Sequence, residues 1–291
     1  MNPLMTHLLL LLIAGTVSVL LGGSRPAVAA ERDRVDALYG QQNLVAWCIV
    51  PFDAAKRGPV ERAEMLKRLG ITKLAYDWRA EHVPTFDDEI QALRKEGIVF
   101  FAFWDLHEAM FDLFEKYSMT PEIWCMLPAP PEGTRSDRVA FAGKHLLPLV
   151  ERTRTMGCKL GIYNHGGWQG EPENMAAVCQ WLRANADAAH VGIVYNFHHG
   201  HEHMEDFEKR FRVMLPYLLC VNVNGMVEGG DPKILPLGQG THEIAMMRVV
   251  LDSGYDGPVG ILDHRPDTDA EQSLRENLAG LPGIREALTT E

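Results

Sequence analysis

The feature that most constrains the fold is an alternation of short apolar runs with amphipathic stretches, repeated eight times along the chain. Short apolar runs between turn residues are typical of buried parallel strands, and apolar residues three and four apart are typical of helices that cover a sheet. The predicted strands are 43–50, 73–78, 99–106, 123–127, 159–163, 191–197, 218–223 and 258–262. The helices predicted to follow them are 59–69, a helix starting near 85, 107–117, 136–156, 171–186, 204–215, 241–253 and 269–278.

Strands that alternate with helices form right-handed βαβ units around a parallel sheet. Eight such units favour the α/β class and a (β/α)8 TIM barrel, which typically takes about 250 residues, over an open doubly wound sheet. The 291-residue chain has no GxGxxG after its first strand and no GxxxxGK(S/T), so nothing supports a nucleotide-binding fold. We therefore predict a single barrel domain over 43–291. Gly280 and Pro282 are expected to end its last helix.

The first 30 residues are predicted to be a secretory signal peptide. The apolar run 8–21 is followed by small residues, and AVAA at 27–30 is typical of a cleavage site near Ala30. The run is short for a transmembrane helix. We expect a secreted or periplasmic protein with a polar lead-in at 31–42. An uncleaved anchor is the alternative, because the first residues contain no Lys or Arg.

Charge and cysteine content exclude several classes of partner and cofactor. A net charge of −11 disfavours nucleic acid and anionic membranes as partners. The five cysteines are odd in number and form no CxxC. Three of them, Cys48, Cys125 and Cys220, fall inside predicted strands, as buried thiols do. The sequence therefore suggests neither a disulfide framework nor a zinc cluster, although one incidental disulfide is left open.

Polar residues cluster at the predicted strand ends, where TIM barrels build their active face. They are Asp77, Arg79, Asp105, His107, Asn164, His165, Asn196, His198, His199, Asn222, Asn224, Asp263 and His264. Tryptophans near these ends, among them Trp104 and Trp168, favour a carbohydrate ligand, because the apolar face of a sugar stacks on a ring. Neutral imidazole is a common general base and metal ligand. For any single residue, the alternative is a hydrogen bond that satisfies loop backbone.

Three segments resemble the xylose isomerase-like TIM barrel superfamily, the sugar phosphate isomerase/epimerase group. They are KLGIYNHGGW at 159–168, VGIVYNFHHGH at 191–201 and, the most specific of the three, PLGQGTHEIAMMRVVLDSGYDGPVGI at 236–261. The resemblance implies a barrel that acts on sugars with a divalent metal. In this family the metal is held by a Glu, an Asp, a His and a Glu on strands five to eight. Two of these carboxylates also move a proton beside a sugar carbonyl.

The chain departs from that pattern at every ligand. Carried over residue by residue, the four ligands fall on Tyr163, Asn196, Asn222 and Leu262, or on Asp263 with a one-residue shift. Amides and a phenol carry no charge, whereas Mg²⁺ and Mn²⁺ prefer several charged oxygens. We therefore predict that the usual metal site is absent or weakened. The alternative is a relocated site for Zn²⁺ or another transition metal, built from His165, His199, Asp263 and His264.

The predicted function is isomerisation, epimerisation, or elimination and hydration of a carbohydrate or keto-sugar. His165 or His199 is the expected base, with Asp263 orienting it. The predicted substrate-binding residues are Asp77, Arg79, Trp104, Asp105, Asn164, Trp168, Asn196, Asn222, Asn224 and His264. A non-catalytic carbohydrate-binding barrel that has lost the metal is the competing hypothesis. A third hypothesis is that the protein is a glycoside hydrolase or lyase that uses two of the strand-end aspartates Asp77, Asp105 and Asp263.

Overall fold

Eight parallel strands close into a barrel in the computed structural model, which describes residues 27–290. The strands are β1 (Leu44–Trp47), β2 (Lys73–Asp77), β3 (Val99–Trp104), β4 (Glu122–Cys125), β5 (Leu160–Tyr163), β6 (Val191–Asn196), β7 (Leu218–Val223) and β8 (Val259–Leu262). Each strand pairs with its neighbours in the chain, and β8 pairs with β1. The predicted (β/α)8 barrel is confirmed.

The helices form the outer layer, and each predicted helix is present, with small changes at its ends except for the last, which is much longer than predicted. They are α1 (Ala27–Tyr39), α2 (Pro59–Leu69), α3 (Phe86–Lys95), α4 (Glu108–Lys116), α5 (Arg135–Met156), α6 (Gly167–Gly170), α7 (Pro172–Asn185), α8 (Phe207–Met214), α9 (Glu243–Asp252) and α10 (Ala270–Thr290). The predicted and observed ends of a helix agree where the capping residue can be recognised in the sequence. Thr134 accepts a hydrogen bond from the Asp137 amide at the start of α5, and Gly157 ends that helix with a left-handed backbone.

Two apolar layers hold the barrel together. The larger lies between the strands and the helices. The smaller fills the barrel interior and is built from inward-facing strand residues, among them Val45, Trp47, Trp124, Tyr163 and Leu262. Successive strand residues point to opposite faces, so each strand contributes alternate residues to the two layers. The five cysteines are all buried and free.

The segment before the barrel differs from the expected lead-in. The predicted signal peptide lies almost entirely outside the described residues, and its predicted boundary near Ala30 falls within α1. Residues 31–39 are helical because Val35, Leu38 and Tyr39 bury one face, and the Tyr39 hydroxyl donates to the Met247 carbonyl at 2.6 Å. Within the described range, no helix is long and apolar enough to cross a membrane.

The prediction that Gly280 and Pro282 end the last helix is wrong. Helix α10 runs through both residues to Thr290. Its last turns bury Leu281, Ile284 and Leu288, and this burial offsets the hydrogen bond that a proline removes. Gly280 is required by a close approach, since a Cβ there would lie 1.8 Å from the Leu237 carbonyl oxygen.

Candidate active site

A cavity of about 280 Å³ opens at the C-terminal ends of the strands. Six residues predicted from the sequence line it together: Asp77, Arg79, Trp104, His165, His199 and His264. The other lining residues are Trp47, Cys48, Phe52, Tyr163 and His198. The strand ends therefore converge as the barrel prediction requires.

Four imidazoles form a continuous row along the cavity. The ring centroids of His165 and His199 are 4.5 Å apart, those of His199 and His198 are 3.6 Å apart, and those of His198 and His264 are 5.2 Å apart. The His264 ring continues onto Phe52 at 3.9 Å, and the Arg79 guanidinium lies over Phe52 at 5.3 Å. The row thus connects residues that follow β5, β6, β8, β1 and β2.

Aromatic side chains line the cavity toward the barrel interior. The Tyr163 ring lies 4.6 Å from Trp104 and 5.9 Å from Trp47, centroid to centroid. Trp47 and Trp124 meet edge to face at 5.0 Å. Aromatic pairs of this kind pack rigidly and leave a flat apolar surface. The cavity therefore combines an apolar floor with a polar rim.

Asp77 is the carboxylate that lines this cavity. It ends β2, is 1% exposed, and its Oδ1 has no hydrogen-bond partner in the described part of the chain. Burial raises the pKa of Asp77 from 3.8 to about 7, although the Arg79 guanidinium opposes that shift. At neutral pH this carboxyl group is therefore divided between its acid and base forms.

Three imidazoles of the row, those of His198, His199 and His264, are held in the neutral form. Burial, reinforced by the neighbouring His165, lowers the pKa of His199 to about 3. Burial and the Arg79 charge lower the pKa of His264 to about 4. Burial lowers the pKa of His198 further below its ordinary range. Each neutral ring offers one N–H donor and one acceptor. The Nδ1 atoms of His198 and His264 are buried and bond to no described residue.

Two of the four family ligand positions are bonded to each other. The Tyr163 hydroxyl accepts hydrogen bonds from the Asn196 side-chain amide and, at 3.2 Å, from the Trp47 indole. Burial raises the pKa of Tyr163 well above its ordinary value, so the phenol stays protonated. In turn, the Asn196 Oδ1 accepts from the His198 amide at 3.3 Å. The group is a closed, uncharged network.

The other two positions are an amide and a hydrocarbon. Asn222 is buried, and its Oδ1 accepts a weak hydrogen bond from the Cys220 thiol at 3.6 Å. Leu262 packs in the barrel interior, so the next residue, Asp263, does not face the cavity. The Asp263 carboxylate instead lies 3.7 Å from Arg265 Nε. Over residues 27–290, no three His, Cys, Asp or Glu side chains are grouped to hold a metal ion.

Six of the predicted substrate-binding residues lie outside the cavity lining: Asp105, Asn164, Trp168, Asn196, Asn222 and Asn224. Asn164 links two strands, because its amide donates to the Asn196 carbonyl at 3.1 Å and its Oδ1 accepts from the Asn196 amide at 2.7 Å. Asn224 donates to the Gly225 carbonyl at 2.8 Å. Asp105 is exposed, and Trp168 stacks beneath the Arg138 guanidinium at 4.8 Å. Asn196 reaches the cavity only through Tyr163.

Sequence reasoning missed two lining residues, Cys48 and Phe52. Both follow β1. No candidate was predicted at the end of this strand, because Cys48 was expected to be a buried thiol and Phe52 is apolar. Cys48 has a left-handed backbone with φ of 60°, which is uncommon for a residue other than glycine. Burial raises the pKa of its thiol well above the ordinary value, so the thiol is un-ionised.

A larger cavity, of about 580 Å³, lies at the opposite end of the barrel. It is lined by residues that precede β3, β4 and β5, including Arg94, Glu122 and Lys159. Residues at this end of a TIM barrel usually contribute to stability, whereas catalytic residues lie at the other end, after the strands. The smaller cavity is therefore the candidate site.

No protein-family model and no curated protein sequence matches this chain. Solved structures do match its fold. A 3-keto-D-glucoside 4-epimerase from E. coli has a TM-score of 0.61 and 14% identity, covering 83% of this chain and 99% of its own. The IolI protein with a bound zinc atom has a TM-score of 0.63 and 11% identity, covering 86% and 100%. A xylose isomerase-like TIM barrel protein from Mycobacterium smegmatis, in complex with magnesium, has a TM-score of 0.55 and 15% identity, covering 87% and 98%.

Proposed function

We propose that this chain, which has the fold of the xylose isomerase-like TIM barrels, binds a carbohydrate in the cavity and moves a proton next to a sugar carbonyl. The observation that carries this proposal is Asp77, a cavity-lining carboxyl with a free buried oxygen and a pKa of about 7. A group that titrates near the working pH is suited to both accepting and returning a proton. Structural neighbours that act on sugars, such as the keto-glucoside epimerase, support the substrate class.

In this mechanism Asp77 takes the proton from the carbon beside the carbonyl. The electron pair left on carbon moves to the carbonyl oxygen, which becomes an enolate. An N–H from the imidazole row, such as that of His198 or His264, donates a hydrogen bond to that oxygen. The protonated Asp77 then returns the proton to carbon, from which isomerisation, epimerisation or elimination can follow.

His199 remains a proposed contact to a substrate hydroxyl, together with His165. Because its pKa is about 3, His199 is a weak base, and it serves better as a hydrogen-bonding partner than as the primary base. Asp263, proposed from sequence to orient a histidine, lies outside the cavity lining, and its carboxylate oxygens form no hydrogen bond with a described residue. The amended assignment gives the base role to Asp77.

The family's divalent metal does not fit the residues at its position. Tyr163 and Asn196 are uncharged and bonded to each other, and Leu262 has no donor atom. A hard cation held there would lack anionic oxygens and would break the Tyr163–Asn196 hydrogen bond. We therefore propose that proton transfer here proceeds through the protein's own side chains.

The test is deuterium incorporation from D₂O into a panel of keto-sugars and free sugars, followed by NMR. This readout detects proton transfer whatever the final product. We expect Asp77→Asn to lower the exchange rate about 100-fold or more, and His199→Ala to lower it as well. The matched control is Asp105→Asn, another strand-end aspartate, which does not line the cavity and should leave exchange unchanged. Equal exchange in Asp77→Asn and the native protein would refute the mechanism.

A carbohydrate-binding barrel without catalysis is the second candidate, favoured by the uncharged network at Tyr163 and Asn196. It predicts that sugars bind, by isothermal titration calorimetry, without deuterium exchange in any member of the panel. Glycoside cleavage has less support, because Asp105 and Asp263 do not join Asp77 in the cavity lining. Export to the periplasm or the exterior also stays a proposal, and N-terminal sequencing of the protein from its native envelope fraction would test it.

A further inference from the structure

We infer that the carbohydrate taken by this cavity carries an anionic group, a carboxylate or a phosphate, bound between the imidazole row and Arg79. This inference rests on the proposed function and deepens it by naming the substrate class. It starts from an imbalance of charge. The chain as a whole carries a net charge of −11, yet its cavity is lined by Arg79 and four imidazoles against a single carboxyl group, that of Asp77.

Lys233 is an exposed residue of the loop between β7 and α9. Gly225 and Leu235 bridge the base of this loop, with the Gly225 amide donating to the Leu235 carbonyl at 2.8 Å. Ile234 packs against the apolar cluster of the barrel interior. These contacts fix the backbone on either side of the lysine. Its charge reaches His198, His199, His201 and His264, whose pKa values it lowers.

Arg79 approaches the row from the opposite side, after β2. Its guanidinium lies over Phe52, and Phe52 contacts His264. Apart from a bond to the Trp78 carbonyl at 2.6 Å, the guanidinium donates to no described residue. Neither Arg79 nor Lys233 forms an ion pair with a carboxylate in the described part of the chain. Both charges are therefore free to meet a ligand.

The row itself supplies unused polar atoms. His198 is 2% exposed, and its Nδ1 has no hydrogen-bond partner among residues 27–290. The same holds for the buried Nδ1 of His264. A buried polar atom without a partner costs free energy, so such atoms indicate a missing ligand or water. Because the rings are neutral, each can turn an N–H toward an anion.

The charge of Asp77 is the one feature that opposes an anion. The main groups that shift the pKa values of His198, His199 and His264 include the permanent cations Lys233 and Arg79 and no carboxylate. The anionic group is therefore placed on the imidazole side, with the reacting carbon toward Asp77. A ligand anion in the cavity also favours the protonated form of Asp77, the form that returns a proton to the substrate.

Calorimetric titration of the full chain with three probes tests the inference: D-glucuronate, D-glucose 6-phosphate and neutral D-glucose. We expect at least one anionic probe to bind about ten-fold or more tightly than glucose, as a charged hydrogen bond provides. Its affinity should fall as ionic strength rises. Preference for glucuronate identifies a carboxylate, and preference for the phosphate ester identifies a phosphate.

Charge-removing variants then locate the contact. Arg79→Gln should weaken the preferred anionic probe several-fold more than it weakens glucose, and Lys233→Gln should weaken the anionic probe without a comparable loss for glucose. The control is Lys144→Gln, an exposed lysine on α5 far from the cavity, which should bind every probe as the native protein does. The inference is overturned if neither anionic probe binds more tightly than glucose, or if the Lys144 variant loses as much affinity as the other two.

The outcome is separable from the proposed function. Tight anion binding without deuterium exchange supports the inference and refutes proton transfer. Deuterium exchange into neutral keto-sugars, together with anionic probes that bind no more tightly than glucose, supports proton transfer and overturns the anionic substrate class.

Discussion

The Tyr163 hydroxyl accepts a hydrogen bond from the side-chain amide of Asn196, and these two residues stand where the resemblance places a metal-binding Glu and Asp. A carboxylate pair at these positions would repel unless a cation lay between them. The phenol and the amide attract each other directly. The hydrogen-bonded pair of Tyr163 and Asn196 therefore needs no cation to hold it together.

The first prediction concerns the stability of this network. In Tyr163→Phe, the buried donors of Asn196 and Trp47 lose their shared acceptor, which costs about 1–3 kcal/mol in the free energy of unfolding. Urea denaturation measures the loss. The control is Tyr76→Phe, because the Tyr76 hydroxyl is buried without a partner and its removal should be neutral or stabilising. Equal losses in the two variants would contradict a bonding role for Tyr163.

The second prediction concerns metal. We expect the native protein to bind Mn²⁺ weakly and its deuterium exchange to survive EDTA, because the family positions offer no anionic oxygen. In Tyr163→Glu/Asn196→Asp, two carboxylates return, and the affinity for Mn²⁺ by calorimetry should rise at least about ten-fold. Asn196→Asp alone should gain less, which makes it the internal control. Stoichiometric tight Mn²⁺ in the native protein would disprove this account.

The third prediction is a pH dependence set by Asp77. Burial raises its pKa from 3.8 to about 7 in the folded state. The folded protein thus holds this proton more tightly than the unfolded chain does. The contribution of Asp77 to the free energy of unfolding should therefore be greatest below about pH 4. This contribution should fall as the pH rises to about 7.

The Asp77→Asn variant isolates that contribution. We expect it to be more stable than the native protein at pH 8, by up to a few kcal/mol, and to show a flatter profile between pH 4 and 7 in chemical denaturation. Asp87→Asn is the control, since hydrogen bonds from Tyr117 and Lys116 lower the pKa of that exposed carboxylate. Its removal should leave the profile above pH 4 unchanged. A steeper profile in Asp77→Asn would reverse the sign of our assignment.

The fourth prediction compares two glycines in α10. In Gly280→Ala the new methyl group would lie 1.8 Å from the Leu237 carbonyl, so the helix or the loop must shift and the melting temperature should fall. In Gly283→Ala nothing lies within 4 Å of the new atom, and the higher helix propensity of alanine should stabilise the protein by up to about 1 kcal/mol. Similar effects of the two changes would show that α10 does not pack on that loop.

Much of the fold follows from local sequence patterns and could be predicted from them. The apolar runs gave all eight strands, and caps such as Thr134 and Gly157 located helix ends. The last helix was misjudged because Gly280 and Pro282 are helix breakers only in isolation. Burial of Leu281, Ile284 and Leu288 against the rest of the protein outweighs the tendency of the glycine and the proline to break a helix. A local sequence pattern does not contain this burial energy.

For the candidate site, the sequence by itself determined which polar residues end each strand and that the family's charged ligands are missing. Only the tertiary structure decided which of those residues meet. A strand residue faces the barrel interior or the helices according to the register, and a shift of one position reverses the choice. The pairing of Trp47 with Leu262 turns Leu262 inward and Asp263 away, and the bridge between Gly225 and Leu235 closes the base of the loop that follows β7. Both depend on contacts between segments far apart in the chain, which no local pattern specifies.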